Sequence, residues 1–549
     1  MDADMFTYSS EEELAIGTVV TIPIGKKTLP GIIIQHVGKP TYDVKPITSI
    51  VESTALPAAL VSAITWMSIY YDTPLATVLQ TALPRGITKK RRVSSNVTPV
   101  HARNRTKNVF TDDQSTAIDS IDKAKHGTLL LHGITGAGKT LVYIESARKV
   151  IERGASVIIL VPEIALTSQL VAEFAHHFDN ILLTHSRQTE AERHLVWQEA
   201  LTAEEPRVII GPRSALFMPA KHIGLIVIDE CHEPSFKQEQ SPRYSALRVA
   251  SILARHHQAK VVLGSATPNV ADYYLAEQSR SPIITMQRSA RADTVEPTID
   301  LVDMTKRGNF TRHPFLSNTL LEQLETTFAE GKQALIFHNR RGTASTTLCE
   351  NCGWQSGCPR CYVPLTLHAD QHTLRCHICD LKAPVPTSCP VCHHADIIHK
   401  GLGTKRIESE LHKLFPDRTI ARFDGDTAST DSVDQRYQDL YDGHINLIIG
   451  TQVIAKGLDL PHLRTVGVVQ ADAGLSLPDF GAPERTFQLL AQVIGRVGRS
   501  HHATQVVVQS YQPSHPAIQD GLARNYADFY QRTLALRRHA NFPPFCYLL

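Results

Sequence analysis

Short apolar runs, many of them β-branched, alternate with helical stretches along most of the chain, and this alternation limits the possible folds more than any other feature. A first set of predicted strands comprises 129–131, 157–161, 208–210, 225–228 and 261–263. A second set comprises 334–337, 420–423, 446–449, 466–469 and 505–509. Strands that alternate with helices in this way form parallel sheets covered by helices. The sequence therefore predicts an α/β chain with two parallel-sheet lobes.

Composition and length are compatible with several packed domains. Of the 549 residues 42% are apolar and 20% are charged, which excludes wholesale disorder and, at about 150 residues per domain, suggests three or four domains. The net charge of +2 excludes a polycation but does not report how charge is distributed. No apolar run approaches the ~18 residues of a membrane span. We therefore expect a cytoplasmic chain without a membrane segment.

The first 84 residues predict a small α+β domain. Two β-branched-rich runs, 18–21 and 31–36, flank the turn Gly25-Lys26-Lys27, which is typical of a hairpin. A helical pattern follows over 58–71.

A basic segment, 85–107, carries eight Lys or Arg residues and no acid. No apolar period is visible in it, which favours a solvated tether between domains. The alternative is an arm that contacts DNA phosphates and releases counterions.

Eight of the ten cysteines lie within 44 residues and form four C-x₂-C pairs. In a chain without an export signal such pairs indicate metal rather than disulfides. Four pairs supply the thiolates for two tetrahedral Zn²⁺ ions, and the spacing alone does not assign ligands to each ion. The candidate ligands are Cys349, Cys352, Cys358, Cys361, Cys376, Cys379, Cys389 and Cys392.

A phosphate-binding loop follows the first predicted strand of the first set. The pattern G-x-x-x-x-G-K-T includes Gly133, Gly136, Gly138, Lys139 and Thr140, and a helix comes directly after it. Glycines allow backbone N–H groups to surround the β-phosphate, and the helix N-terminus adds positive potential. The lysine would bridge the β- and γ-phosphates of ATP, and the threonine would hold Mg²⁺.

Two carboxylates follow the predicted strand 225–228. Asp229 suits an outer ligand of Mg²⁺, and Glu230 suits the base that orients the attacking water. Both lie at the carboxyl end of a strand, where open α/β sheets bind ligands.

With these motifs in this order, the chain resembles a superfamily 2 helicase, a class with two RecA-like lobes. The resemblance implies that Gln114 reads adenine, that Arg213 in motif 211–217 contacts the tracked strand, and that Arg496 and Arg499 reach the γ-phosphate, with Arg499 as the arginine finger. The other motifs that carry it are 161–167, 264–268, 450–457 and 492–499.

The loop 235–244 narrows the resemblance to the PriA family, the bacterial replication-restart helicases also called primosomal protein N′. It is similar to the aromatic-rich loop that senses single-stranded DNA in PriA and RecQ enzymes. Phe236 and Tyr244 would then stack on bases, while Lys237 and Arg243 would meet phosphates. The alternative is an ordinary surface loop whose aromatic rings are buried.

The same family implies an interleaved pairing of the cysteines. Cys349, Cys352, Cys389 and Cys392 would hold one ion, and Cys358, Cys361, Cys376 and Cys379 the other. Each ion would then have four protein ligands, which is typical of a structural site.

The N-terminal domain is similar to the PriA domain that receives a 3′ end. The Phe-Asp-Tyr of that domain is Phe6-Thr7-Tyr8 here, so an acid that accepts from a 3′-hydroxyl is lost. Gly31 and Lys45 match the family, which implies a phosphate contact by Lys45.

The resemblance covers about residues 15–84 and 109–549. We expect that the winged-helix domain and the C-terminal domain of PriA proteins are lacking. The predicted organisation is an N-terminal domain (1–84), a basic linker (85–107), helicase lobe 1 (108–292), helicase lobe 2 in two parts (293–348 and 393–510) around a zinc-binding insertion (349–392), and a helical tail (511–549).

The resemblance implies an ATP-dependent 3′→5′ DNA helicase that recognises stalled or branched forks and promotes primosome assembly. Its expected cofactors are ATP, Mg²⁺ and two Zn²⁺ ions. Its expected location is the bacterial cytoplasm, in association with the nucleoid. The expected partners are forked and single-stranded DNA, single-stranded-DNA-binding protein and helicase-loading proteins. Three alternatives are a fork-binding scaffold with little unwinding, a translocase acting on RNA or in DNA repair, and an inactive paralogue.

Overall fold

The computed structural model describes residues 5–89, 109–162, 168–290, 295–338, 347–368, 371–398, 403–423, 436–451, 460–497 and 503–546. These residues divide into two compact units. The first contains the described residues within 1–133, 137–268 and 276–288, and the second those within 134–136, 269–275 and 289–549. The basic segment predicted as a linker lies outside the described residues from residue 90 onward.

A three-stranded antiparallel sheet and two helices form the N-terminal part of the first unit. The elements are β1 (Val19–Ile24), β2 (Lys27–Ile32), β3 (Ser49–Glu52), α1 (Ala58–Tyr70) and α2 (Leu75–Ala82). The strand order is β2-β1-β3. The predicted α+β character and the predicted helix are confirmed.

The predicted hairpin is present, but its second strand was placed too late in the sequence. Strand β2 begins at Lys27 because the turn contains only Gly25 and Lys26, so that Ile24 pairs directly with Lys27. Gly25 has a φ of +59°, a conformation that two-residue hairpin turns require. Pro30 is accommodated because β2 is an edge strand.

The chain from residue 109 to 290 alternates strands and helices as predicted. The elements are α3 (Asp112–Lys123), β4 (Gly127–Gly133), α4 (Lys139–Glu152), β5 (Ser156–Leu160), α5 (Ser168–Ala175), β6 (Ile181–Leu183), α6 (Glu190–Thr202), β7 (Val208–Gly211), β8 (Ile223–Ile228), α7 (Ala246–His257), β9 (Lys260–Ser265), α8 (Val270–Gln278) and β10 (Ile283–Met286). Seven strands form one parallel sheet in the order β10-β4-β9-β8-β5-β7-β6. All five predicted strands of the first set belong to it.

The second parallel sheet belongs to the second unit. The elements are β11 (Thr298–Asp303), α9 (Asn318–Ala329), β12 (Gln333–Phe337), α10 (Thr404–Leu414), β18 (Ile420–Phe423), α11 (Tyr437–Tyr441), β19 (Leu447–Gly450), β20 (Leu463–Val468), α12 (Ala482–Val497), β21 (Gln505–Ser510), α13 (Pro516–Ala523) and α14 (Tyr526–His539). Six strands pair in the order β11-β21-β20-β12-β19-β18. The predicted α/β class with two parallel sheets is therefore confirmed.

The cysteine-rich insertion forms two small antiparallel sheets of its own. The strands are β13 (Leu348–Cys349), β14 (Thr366–His368), β15 (Thr373–Arg375), β16 (Lys382–Pro384) and β17 (Ile397–Ile398). Strand β13 pairs with β17, and β15 lies between β14 and β16. Along the chain the insertion lies between β12 and β18, so it interrupts the strands of the second sheet as the sequence predicted.

Three strands of the two large sheets were not predicted, namely β6, β10 and β11. Each lies at the edge of its sheet. Central strands such as β5 are buried along their whole length and therefore read as continuous apolar runs. Edge strands are buried less completely, and β6 has only three residues, so their sequence signal is weak.

The described helices are short by the standard of membrane spans. The longest, α12, has 16 residues, whereas a spanning helix needs about 20 apolar residues. No helix within the described ranges is both long enough and apolar enough to cross a bilayer.

A buried ion pair joins two helices of the second unit. The Arg537 side chain in α14 is 3% exposed, and its guanidinium donates to the Glu484 carboxylate of α12 at 2.6 Å. The backbone N–H of Val270 donates to the other carboxylate oxygen, also at 2.6 Å. The guanidinium carbon lies 4.9 Å from the centre of the Phe480 ring.

Replacement of Arg537 by Met should destabilise the second unit, because the Glu484 charge would stay buried without its cation. Removing one partner of a buried pair costs about 3–5 kcal/mol. Arg524→Met is the matched control, since Arg524 pairs with Glu296 at the surface and exposed pairs contribute about 0–1 kcal/mol. Urea denaturation followed by circular dichroism measures both variants. Equal shifts of the unfolding midpoint would contradict the expected difference.

Candidate nucleotide and metal sites

Three of the predicted motifs meet at the carboxyl ends of adjacent strands in the first sheet. Strand β9 lies between β4 and β8, and all three run parallel. Strand β4 ends at Gly133, where the phosphate-binding loop begins, and β8 ends one residue before Asp229. Strand β9 ends at Ser265, inside the motif 264–268. The parallel register thus brings these motifs to one edge of the sheet.

The phosphate-binding loop has the strand–loop–helix context that the sequence predicted. Gly136 and Gly138 have φ values of +85° and +79°, which disfavour any residue with a side chain. Helix α4 begins at Lys139. The Lys139 ammonium group donates to the Gly133 carbonyl at 2.9 Å. The lysine charge is therefore held at the loop, and Thr140 follows in the first turn of α4.

Asp229 is held by a residue that the sequence analysis did not identify. The Tyr143 hydroxyl of α4 donates to Asp229 Oδ1 at 3.0 Å. Withdrawal from water, and then the nearby Glu230 charge, raise the pKa of Asp229 to about 6, although Lys139 and the tyrosine hydroxyl oppose the rise. Tyr143 lies four residues after Lys139, on the same helix face, and this spacing was the available signal.

Gly264 makes room for that hydroxyl. A Cβ atom at this position would lie 1.8 Å from the Tyr143 hydroxyl oxygen, so no other residue fits without displacing Tyr143. The glycine of motif 264–268 thus leaves space for the tyrosine that holds Asp229, the predicted Mg²⁺ ligand.

A second contact joins the Asp-Glu-Cys-His segment to the motif 264–268. The His232 Nδ1 atom lies 2.7 Å from Ser265 Oγ, which also accepts from the Thr267 N–H at 2.9 Å. The Glu230 carboxylate lies 3.5 Å from the same imidazole nitrogen. The predicted water-orienting carboxylate and the motif at the end of β9 are therefore connected through one histidine.

Gln114 lies beside the phosphate-binding loop with its amide held at both ends. Its oxygen accepts from the Thr111 N–H at 2.9 Å, and its nitrogen donates to the Ala137 carbonyl at 3.2 Å. The side chain is 1% exposed and completes a capping box at the start of α3. Its predicted contact with adenine stays a prediction.

The loop 235–244 differs from expectation in its two aromatic residues. Phe236 and Tyr244 are 2% and 1% exposed, and the Tyr244 ring packs edge-on against Phe217 with the centroids 5.5 Å apart. In this conformation neither ring presents a face to solvent, and the predicted stacking of bases on these rings stays a prediction. Lys237 and Arg243 are exposed, as a phosphate contact requires.

Arg213 contacts the same loop. Its guanidinium donates to the Ser235 carbonyl at 2.5 Å and to the Gln238 side chain at 3.2 Å. In this structure the residue therefore holds the loop in place, and its contact with a tracked strand stays a prediction.

Lys45 lies beside the segment 6–9 in the N-terminal sheet region. The Ser9 N–H donates to the Lys45 carbonyl at 3.0 Å. The side chains of Lys45 and Phe6 are exposed, whereas the Tyr8 hydroxyl donates to the Pro23 carbonyl at 3.2 Å. Gly31 faces Ile22, which an added Cβ atom would approach to 3.3 Å.

Eight cysteines form two clusters with the interleaved pairing that the family resemblance implied. The sulfur atoms of each cluster lie within 4.8 Å of one another. Across three pairs of sulfur atoms the distances are 3.5–3.6 Å, which excludes disulfides of about 2 Å and is close to the ~3.8 Å edge of a tetrahedron of sulfurs around Zn²⁺. One cluster consists of Cys349, Cys352, Cys389 and Cys392, and the other of Cys358, Cys361, Cys376 and Cys379. The donor sets therefore fit two metal ions with four thiolates each.

Several predicted residues lie outside the described part of the chain. These are Arg499 together with the segments 163–167 and 452–457. Arg496 belongs to α12 by its backbone, but its side chain is not described. The roles of both arginines stay predictions.

Sequence models of four protein domains match the chain. A 3′DNA-binding domain of PriA matches residues 3–84, and a DEAD/DEAH box helicase domain matches 111–274. The Cys-rich region of the PriA DNA helicase matches 358–384, and a helicase conserved C-terminal domain matches 394–501.

The curated relatives include replication restart proteins named PriA. The protein of Treponema pallidum (strain Nichols) is 35% identical over 99% of this chain and 84% of its own length. That of Rickettsia conorii (strain Malish 7) is 33% identical over 97% and 82%. That of Bacillus subtilis (strain 168) is 40% identical over 80% of this chain, but the match covers only 55% of that protein. A solved structure of RecG bound to a three-way DNA junction is 16% identical, covers 78% of this chain and 47% of RecG, and has a TM-score of 0.46, too low for a comparison of sites.

Affinity for Mg²⁺-bound nucleotide should fall at acidic pH through Asp229. Because its pKa is raised to about 6, the carboxylate becomes protonated and loses its charge as the pH falls below that value, so affinity should drop about tenfold per pH unit there. A Mg²⁺ titration of fluorescent-nucleotide binding between pH 5 and 8 measures this. Tyr143→Phe removes a hydrogen bond that favours the ionised carboxylate, so its transition should shift to higher pH. Identical profiles for the two proteins would contradict the role of Tyr143.

Each cysteine cluster should bind one metal ion. Elemental analysis of the purified chain should find two zinc equivalents, and Cys352→Ser and Cys361→Ser should each lose about one. Cys231→Ser is the control, since Cys231 is buried elsewhere in the first unit. A single equivalent in the unaltered chain would refute the two-site interpretation.

Proposed function

The chain belongs to the PriA family of replication restart proteins, and on that premise we propose that it is an ATP-driven DNA translocase that unwinds DNA 3′→5′ at stalled or branched forks. The observation that carries this proposal is the convergence of Lys139, Asp229 and the motif 264–268 at the ends of β4, β8 and β9. Chemically, such a site suits hydrolysis of a nucleoside triphosphate, because phosphoryl transfer depends on positioning and charge neutralisation.

In the proposed reaction Lys139 neutralises charge on the β- and γ-phosphates of ATP, and Thr140 and Asp229 hold Mg²⁺, which offsets the remaining phosphate charge. Glu230 orients the attacking water. Arg496 and Arg499 are proposed to stabilise the charge of the transition state, with Arg499 as the finger.

We propose that His232 is the first residue to link hydrolysis of the nucleotide to movement along DNA. Its imidazole contacts Ser265 at 2.7 Å and lies 3.5 Å from the Glu230 carboxylate. A change in the position of this carboxylate on hydrolysis would therefore move the imidazole and, through Ser265, the motif 264–268. This contact supports a role for the motif in coupling hydrolysis to movement.

We propose Zn²⁺ as the metal of both cysteine clusters, because four thiolates in a tetrahedral arrangement favour this ion. All four positions around each ion would be filled by protein, so the ions would be structural. Their binding would then contribute to folding of the insertion.

The proposed substrates and partners follow the family. The N-terminal region, with Lys45 exposed, is proposed to receive the 3′ end at a fork. Single-stranded-DNA-binding protein and helicase-loading proteins are the proposed partners in primosome assembly, and the nucleoid is the proposed location. The basic segment 85–107 is proposed as a tether, with phosphate contact as the alternative.

Lys139→Ala should abolish hydrolysis, because the charge that stabilises the transferred phosphoryl group is lost. Removal of one such stabilising group costs about 10²-fold or more in rate. Steady-state ATPase with and without forked DNA, together with unwinding of a 3′-tailed fork, measures the effect. Lys149→Ala is the matched control, since Lys149 lies on the same helix and pairs with Asp122 at 3.4 Å.

Three outcomes separate the alternatives. Hydrolysis that forked DNA does not stimulate would refute the motor. DNA-stimulated hydrolysis without strand separation would favour the scaffold that reloads a helicase. Stimulation by RNA in preference to DNA would favour a different class of superfamily 2 translocase.

A further inference from the structure

Strand β10 places the segment that follows it beside the phosphate-binding loop. It pairs with β4, and Met286, the last residue of β10, lies opposite Gly133, where the loop begins. Strands β9 and β8 lie on the other side of β4, and the predicted Mg²⁺ ligand Asp229 follows β8. Residues 287–288 therefore flank the candidate nucleotide site on the side away from the predicted metal ligand.

One carboxylate fixes the backbone of this segment. The Asp113 Oδ2 atom accepts from the Gln287 N–H at 2.8 Å and from the Arg288 N–H at 3.0 Å. Asp113 lies in the first turn of α3, where the helix dipole favours a negative charge. Both hydrogen bonds have an ionised acceptor and are therefore stronger than bonds between neutral groups. The backbone of Arg288 is thus held at the start of α3.

The same helical turn carries the residue predicted to read adenine. Gln114 follows Asp113, and its amide is held by the Thr111 N–H and the Ala137 carbonyl. An amide oxygen has a second lone pair and an amide nitrogen has a second hydrogen, so both atoms can still bond the edge of a base. The anchor of Arg288 is therefore one residue away from the amide that would meet the base edge.

The Arg288 side chain itself is exposed. Its side chain is 75% exposed, and its guanidinium lies 3.8 Å from the carboxylate of Asp112, which is 95% exposed. Exposed ion pairs contribute little to stability, so the guanidinium can leave this contact at small cost. A guanidinium is planar and weakly hydrated, and it stacks readily on aromatic rings. A fixed backbone with an available side chain suits a residue that covers the face of a bound ring.

We propose that Arg288 binds the nucleotide by stacking its guanidinium on the face of the adenine ring, and that Asp113 is the positioning residue that holds Arg288 there. Gln114 meets the edge of the base and Arg288 its face, so the ring is fixed in two directions. The proposal rests on the proposed function, since it requires that the site binds ATP.

The test compares two ligands of which only one carries a base. Binding of ADP and of pyrophosphate, each with Mg²⁺ and without DNA, is measured by displacement of a fluorescent ADP. Arg288→Gln should raise the Kd of ADP about fivefold, the effect of losing one cation–π contact at an exposed site, and should leave the Kd of pyrophosphate unchanged. Arg288→Lys keeps the charge but loses the planar face, so it should recover only part of the affinity.

Asp113 is tested through the same pair of ligands. Asp113→Ala removes the acceptor of both backbone N–H groups, so it should raise the Kd of ADP and leave that of pyrophosphate unchanged. Asp113→Asn keeps an oxygen that accepts two hydrogen bonds and should restore most of the affinity. Equal weakening of both ligands by Asp113→Ala would show a general effect on the fold and would overturn the positioning role.

Two further variants serve as controls. Arg255→Gln, exposed on α7, should change neither Kd, whereas Lys139→Ala should weaken both ligands because it acts on the phosphates. An unchanged Kd of ADP in Arg288→Gln, or an equal rise for ADP and pyrophosphate, would overturn the stacking. Full affinity in Arg288→Lys would also overturn it, since charge alone would then suffice.

ATPase of the unaltered chain with forked DNA separates this proposal from the proposed function. DNA-stimulated hydrolysis together with an unchanged Kd of ADP in Arg288→Gln would reject the stacking and leave the motor. A raised Kd of ADP in that variant, without DNA-stimulated hydrolysis in the unaltered chain, would reject the motor and support the stacking. An unaltered chain that does not bind ADP would reject both.

Discussion

The hydrogen bond between the Tyr143 hydroxyl and the Asp229 carboxylate is the contact on which the candidate nucleotide site depends. A carboxylate drawn out of water favours its protonated form, and the pKa of Asp229 rises to about 6 accordingly. The Tyr143 hydroxyl and the Lys139 charge both favour the ionised form of Asp229, the form that the proposed Mg²⁺ contact requires. Because the hydroxyl occupies the space beside Gly264, helix α4, the Asp229 segment after β8 and the motif at the end of β9 depend on one another for their geometry.

The cysteine-rich insertion of the second unit has a small apolar core. The insertion is too small to bury a larger one, and only a few apolar side chains pack around the second cysteine cluster, among them Val363, Leu365 and Leu374. Small domains of this kind commonly rely on a metal for stability. The first cluster lies where the insertion leaves the lobe, since Cys349 belongs to β13, which pairs with β17. The two clusters therefore lie in different parts of the insertion, the first beside the β13–β17 pair and the second beside the three-stranded sheet.

Sequence reasoning succeeded where the signal is local. The phosphate-binding loop needs particular residues at fixed offsets, and a central strand such as β5 needs an unbroken apolar run. Both can be read without knowledge of the fold. The edge strands β6, β10 and β11 were missed because a strand at the edge is buried less completely and needs no such run.

The sequence by itself determined the fold class, the phosphate-binding loop, the Asp229-Glu230 pair and the thiolate ligands, because each depends on residue type and spacing along the chain. Only the tertiary structure decided which side chains hold Asp229 and whether Phe236 and Tyr244 face solvent, and it confirmed the grouping of the cysteines that residue spacing alone had left open and the family resemblance had implied. Those properties depend on contacts between residues far apart in sequence, such as Tyr143 with Asp229 and Tyr71 with Ser245. A loop sequence rich in aromatic and basic residues is compatible with exposed or buried rings, and packing against Phe217 selected burial of Tyr244.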